Sequence, residues 1–139
     1  MYQAPNIMKQ FLLLLSLIVI IQGCQSKRKY KSAYEFLKAM STDINKTLPL
    51  QVDSVLKLES TVAIPDVTFR FNYTLQFDTI TYDIREFEKS LTRTTINTVK
   101  TSPDAAHFRK MFATIEYNYS DTLGNYLFRI IVGPGDYLK

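Results

Sequence analysis

Few side chains in this chain are equipped for chemistry, and two of them occur once only: Cys24 and His107. A single cysteine permits no intramolecular disulfide and no cysteine-based metal cluster. His107 stands next to Phe108 in a helix-like stretch and reads as a helix-edge residue. With no second histidine and no further cysteine, the common catalytic dyads and zinc sites have nothing to build from. Two acids are placed where a carboxylate could act: Asp121 near a predicted hairpin turn, and Glu116 on the solvent side of a predicted strand. Both read first as solvated acids, and a carboxylate-dependent hydrolase is the alternative they leave open. Asp121-Thr122-Leu123-Gly124 lacks the further oxygen ligands of a calcium loop. Gly133-Pro134-Gly135 has no lysine or helix behind it, so it is a strand terminator and not a phosphate cradle. No cofactor and no metal are expected. The glycosylation-type triplets at Asn45, Asn72 and Asn118 read as chance.

Charge narrows the partners. The sequence has a pI of about 9.1, but its basic residues are not spread evenly. Lys9, Lys27, Arg28, Lys29 and Lys31 lie near the start. Taking those five from the 17 Lys and Arg leaves 12, against 13 Asp and Glu, for residues 32–139. That nearly neutral remainder offers no basic face, so nucleic acid is not the expected partner. Apolar content of 46% and charged content of 22% are those of a folded protein, and 139 residues suit one domain.

Cys24 gains meaning from what precedes it. After Met1–Ile7, which reads as an upstream start or a long leader, comes Met8-Lys9-Gln10 and then the apolar run from Phe11 to Ile21. A basic start, an apolar stretch and a small residue at Gly23 have the layout of a secretory signal over residues 1–23. Eleven residues make only ~17 Å of helix, against a hydrocarbon core of ~30 Å. Ile21-Gln22-Gly23-Cys24 resembles the lipobox of bacterial lipoproteins, with Gln22 bulkier than the usual small residue. That resemblance implies cleavage before Cys24, lipidation of its thiol and anchoring to a membrane. The alternative is an ordinary cysteine beyond a conventional cleavage site. Gln25 behind it resembles lipoproteins passed to the outer membrane, facing the periplasm. Residues 24–31 then form a tether whose basic run either meets anionic headgroups or is simply solvated.

The elements of the folded part follow from periodicity. Val67 to Phe77 alternates six apolar side chains with Thr68, Arg70, Asn72, Thr74 and Gln76. Only a strand puts all six on one face. Arg70, Asn72, Thr74 and Gln76 are the candidate interaction face. Ahead of that strand, Ser32 to Glu35 is a capping box opening a helix over Ala33–Ile44, and Val52–Ile64 is a strand in which Leu56, Leu58, Val62 and Ile64 share one side. Asp83 opens a second helix ending near Lys100. Ser102-Pro103-Asp104 opens a third, with Ala105, Phe108, Met111 and Phe112 on its buried side. Two more strands, Thr114–Asp121 and Tyr126–Val132, flank a turn at Leu123–Asn125. The expected fold is α+β: a two-layer sandwich over residues 32–139, with a four-stranded, mostly antiparallel sheet and helices on one face, in the order α-β-β-α-α-β-β.

Asn45 to Asp53, Phe71 to Leu75, Thr101 to Pro103 and Glu116 to Gly124 together resemble a group of small bacterial exported proteins. The resemblance implies an envelope protein and no particular activity. The resemblance implies cysteines that would pair near the positions of Lys100 and Tyr137, as members of that group often have, and this chain has neither. The leading expectation is a non-catalytic, lipid-anchored envelope module that binds a protein partner through an open sheet face or edge. The alternative is a small ligand or lipid held between helices and sheet.

Overall fold

The computed structural model describes residues 30–76 and 83–139; Cys24 and Phe77, with the rest of the leader and tether before Tyr30, lie outside them. Three helix starts form where their caps predict. Ser32 Oγ accepts from the Glu35 amide at 3.1 Å and starts α1, Ala33–Asn45. The Asp83 carboxylate accepts from the amides of Arg85 and Glu86 and starts α2, Ile84–Thr101. Ser102 caps a 3-10 turn, Pro103–Ala105, which runs into α3, Ala106–Lys110. The strands are β1 (Leu50–Gln51), β2 (Leu56–Ile64), β3 (Thr68–Leu75), β4 (Thr114–Ser120) and β5 (Tyr126–Val132), followed by the single turn of α4, Pro134–Tyr137. No helix among the described residues is long and apolar enough to cross a membrane.

The fold is α+β as expected, with five strands in place of four, because Leu50–Gln51 adds a short edge to β2. Strand order follows chain order, β1-β2-β3-β4-β5. All neighbours are antiparallel except β3 and β4, which run parallel with Thr68 beside Thr114 and Thr74 beside Ser120. A parallel pair requires a crossover, and α2 with α3 supplies it.

The expected burial of β3 holds in part. Phe69 and Leu75 are fully buried, while Phe71 and Tyr73 keep part of their surface, as do Arg70, Asn72 and Thr74 on the opposite side. Val67 is not in the strand; it sits in the hairpin turn with Asp66, both at positive φ. In β2 the expected face is corrected. A bulge between Leu58 and Ser60 inserts one residue, and one residue reverses every later side chain. Thr61 and Ala63 therefore point to the core, opposite Phe71 and Phe69, and Val62 is 42% exposed on the other face. Phe112 is also corrected: α3 ends at Lys110, the chain turns through Phe112 at positive φ, and its ring is 64% exposed.

Thr61 illustrates how the helix layer is pinned to the sheet. It is a buried polar residue, and its groups are satisfied by α1. Asn45 Oδ1 accepts from the Thr61 amide at 2.7 Å, and Asn45 Nδ2 donates to the Thr61 carbonyl at 2.9 Å. Ser41 Oγ donates to the same carbonyl at 2.9 Å. Thr61 lies beyond the two residues of β1, so the Asn45 amide stands in for the missing strand neighbour. At the far end of α2, Arg109 Nη1 donates to the carbonyls of Val99 and Ser102 at 2.7 and 2.8 Å, adding a side-chain donor to the helix C-terminus.

Candidate functional site: a groove over the central strands

Where the two long helices sit decides what is left open. α1 packs on β2, α2 packs on β5, and the two make at most marginal contact with each other. From β2 to β5 is three strand spacings, about 14 Å. Helices packed directly on one another sit about 8–10 Å apart. The gap therefore falls over β3 and β4, where a cleft of about 310 Å³ opens. Met40 and Ile44 of α1 form one wall and Val99 of α2 the other, Phe108 closes an end, and Phe71 and Tyr117 form the floor.

The floor is a block of stacked rings. Parallel pairing places Phe71 beside Tyr117 and Tyr73 beside Tyr119, with ring centroids 5.4 Å apart in each pair and planes within 13° and 15°. Phe128 of β5 continues the stack at 4.7 Å from Tyr119. Among the described residues, none of the hydroxyls of Tyr73, Tyr117 and Tyr119 has a hydrogen-bond partner. Burial pushes all three phenols above their ordinary pKa; Tyr73 adds to the rise at Tyr117, and Tyr73 with Tyr117 adds to it at Tyr119. They stay neutral, and of the three Tyr117 lines the cleft.

His107 borders the cleft, with Phe36 and Phe108 around its ring. Its Nε2 is buried without a partner. Burial lowers its pKa, against the opposing pull of Asp104. Tyr30 packs on Phe36 with ring centroids 5.3 Å apart.

The four residues of the candidate interaction face lie away from the groove. Arg70, Asn72 and Thr74 line the opposite side of β3, and Gln76 follows the strand and accepts from the Gln51 side chain. Their neighbours are strand side chains. Arg70 Nε donates to Glu116 at 2.7 Å, and Asn72 Nδ2 donates to Ser60 Oγ at 3.0 Å. Arg129 reaches the same Glu116 carboxylate at 3.8 Å and Asn118 Oδ1 at 3.3 Å. Glu116 is thus held between two guanidinium groups. Asp121 accepts from Asn125 and from the backbone of its own hairpin turn, and the Asn125 side chain holds its carboxyl below the ordinary value. The two acids are separately occupied and do not form a pair.

A site between helices and sheet was the alternative open from the sequence, but its lining residues, Phe71, Tyr117, Met40 and Ile44 among them, could not be named there. The available signal was three tyrosines in a stripe meant for the interior. A buried phenol usually finds a partner for its hydroxyl, and nothing facing these three in the pattern offered one.

No family model and no curated protein matches the sequence. Solved structures do match it. A candidate secreted protein of Pseudomonas aeruginosa aligns with a TM-score of 0.65 at 8% identity, over 75% of this chain and 91% of its own. The pilotin EpsS of the Vibrio vulnificus type 2 secretion system aligns at 0.63 with 10% identity, over 75% and 90%. The type II secretion system pilotin AspS of Vibrio cholerae aligns at 0.59 with 12% identity, over 75% and 91%. At such low identity the kinship is one of fold: this chain has the α+β architecture found in two secretion-system pilotins and a candidate secreted protein.

Proposed function

We propose that this chain is a non-catalytic accessory module of a bacterial envelope, anchored through a lipid on Cys24 and facing the periplasm from the outer membrane. In the manner of the pilotins whose fold it shares, it holds a protein partner of a secretion or assembly apparatus. The observation that carries the reading is the groove, apolar in its walls and aromatic in its floor, left open on a fold otherwise well packed. At about 14 Å between flanking axes, the gap admits inserted side chains or an extended chain but not a whole helix of 10–12 Å diameter. A partner segment would press a row of large apolar side chains into it.

Photo-crosslinkers placed at Ile44, in the groove, and at Asn72, on the opposite face, test this in native envelopes. Crosslinking of one envelope protein from Ile44 and not from Asn72 is the expected result. Crosslinking from Asn72 alone would move the binding surface to the face of Arg70, Asn72, Thr74 and Gln76. The same open, apolar cleft favours a second reading, a bound small amphiphile. Native mass spectrometry of protein taken from its own membrane would reveal one as a discrete added mass.

A further inference from the structure

The two edges of the sheet are treated differently. On the β1 side the edge strand is two residues long, and beyond it the Asn45 amide occupies both backbone groups of Thr61. Short edge strands and covered backbone are devices against strand addition. β5 has none of this. It runs seven residues with no proline and no lysine. Its one irregularity falls at its start, between its pairings with Tyr119 and Ser120. Among the described residues, no strand or side chain pairs with its outer edge. The side chains it shows on the uncovered sheet face include Arg129 and Ile131, the latter 55% exposed. Arg129 shares Glu116 with Arg70, which holds that carboxylate far more closely, 2.7 Å against 3.8 Å. One carboxylate between two guanidinium groups leaves a surplus positive charge beside an open edge.

We infer that β5 is a strand-addition site for an extended segment of another protein carrying a carboxylate opposite Arg129 and, two residues along, an apolar β-branched side chain opposite Ile131. The outer backbone groups of β5 supply the ladder, and the two side chains set register and choice of partner. A second copy of this chain does not fit. β5 contains no acidic residue, so no two-fold register of β5 on itself gives Arg129 a carboxylate. This surface is separate from the groove and does not depend on its occupant.

The probe is the synthetic peptide Thr-Val-Thr-Glu-Thr-Val-Thr, with a twin carrying Lys for Glu, added to the full-length protein in detergent. Amide hydrogen exchange is followed across residues 126–132. The Glu peptide should protect β5, and the Lys peptide should bind more weakly by up to about fivefold, the scale of a cross-strand charge pair. Arg129→Gln should erase the preference and Arg129→Glu should reverse it. Ile131→Lys should abolish protection by the Glu peptide while leaving the melting temperature unchanged. The inference is overturned by an unprotected β5 at millimolar peptide, by protection that maps to the groove, by indifference to the charge swap, or by self-association of the free protein through β5.

Discussion

At the scale of single residues, polar groups inside the fold are used as fasteners, and their removal should be measurable. Asn45→Ala would leave the buried Thr61 amide without its acceptor. An orphaned buried donor costs about 1–3 kcal/mol, which a denaturant titration would register as a lower midpoint at unchanged slope. His107 behaves differently. Its folded pKa lies below its ordinary value because burial disfavours the charged ring. Protonation therefore opposes folding. The associated stability is fully present above about pH 6.5 and is lost as pH falls from there through the folded value. Phe36 and Phe108 press on the ring from two helices, and Asp104 is the charged group that partly offsets the loss. In His107→Asn that component is absent. The melting temperature of the wild type relative to the variant should be flat above pH 7 and decline below pH 6.5, read by paired thermal melts.

Among elements, alternation along β3 carries the architecture, modified by what lies above each position. Phe69 is sealed under Phe108 at 5.4 Å, and Phe69→Ala should cost about 3–5 kcal/mol, the range for a buried phenylalanine. Phe71 forms the groove floor and keeps part of its surface, so Phe71→Ala should cost clearly less than Phe69→Ala. Asn72→Ala, on the opposite face, forfeits one hydrogen bond to Ser60 and should stay within about 1 kcal/mol. The order Phe69, Phe71, Asn72 in denaturant midpoints is the expected signature of a strand with a sealed end, an open middle and a polar back. Equal losses at Phe69 and Phe71 would mean that the groove is closed in solution.

For the molecule as a whole, the proposed anchoring and the proposed binding would fall to different parts of one chain. Lipidation of Cys24 would secure the protein to the membrane, since stable attachment takes more than one acyl chain, while residues from Tyr30 onward form the folded body. Cys24→Ser should release the protein from the membrane fraction, or leave it as the uncleaved precursor, in a fractionation probed by immunoblot. A variant that is processed normally and still sediments with membranes would defeat the lipid anchor. The soluble variant should keep the melting temperature of the domain, because the substitution leaves every residue of the described core in place.

Much of this was legible in the residues themselves. The caps at Ser32, Asp83 and Ser102 and the period-two run after Val67 specify helices and strands through contacts made within a few residues. The α+β class and the helix-covered side of β3 follow from those. Arg70, Asn72 and Thr74 occupy the face that alternation assigned them. Three things had to wait for the tertiary structure. The Leu58/Ser60 bulge reversed β2 so that Thr61 faces inward, a shift that local pattern registers only as an interruption at Ser60. Leu50–Gln51 became a strand because β2 was there to pair with it. The groove exists because α1 settles on β2 and α2 on β5, three strand spacings apart. That separation depends on strand order and on the parallel pairing of β3 with β4. A hydrophobic pattern tells which side chains leave water, but the distance between the elements that cover them is set only when the whole chain has packed.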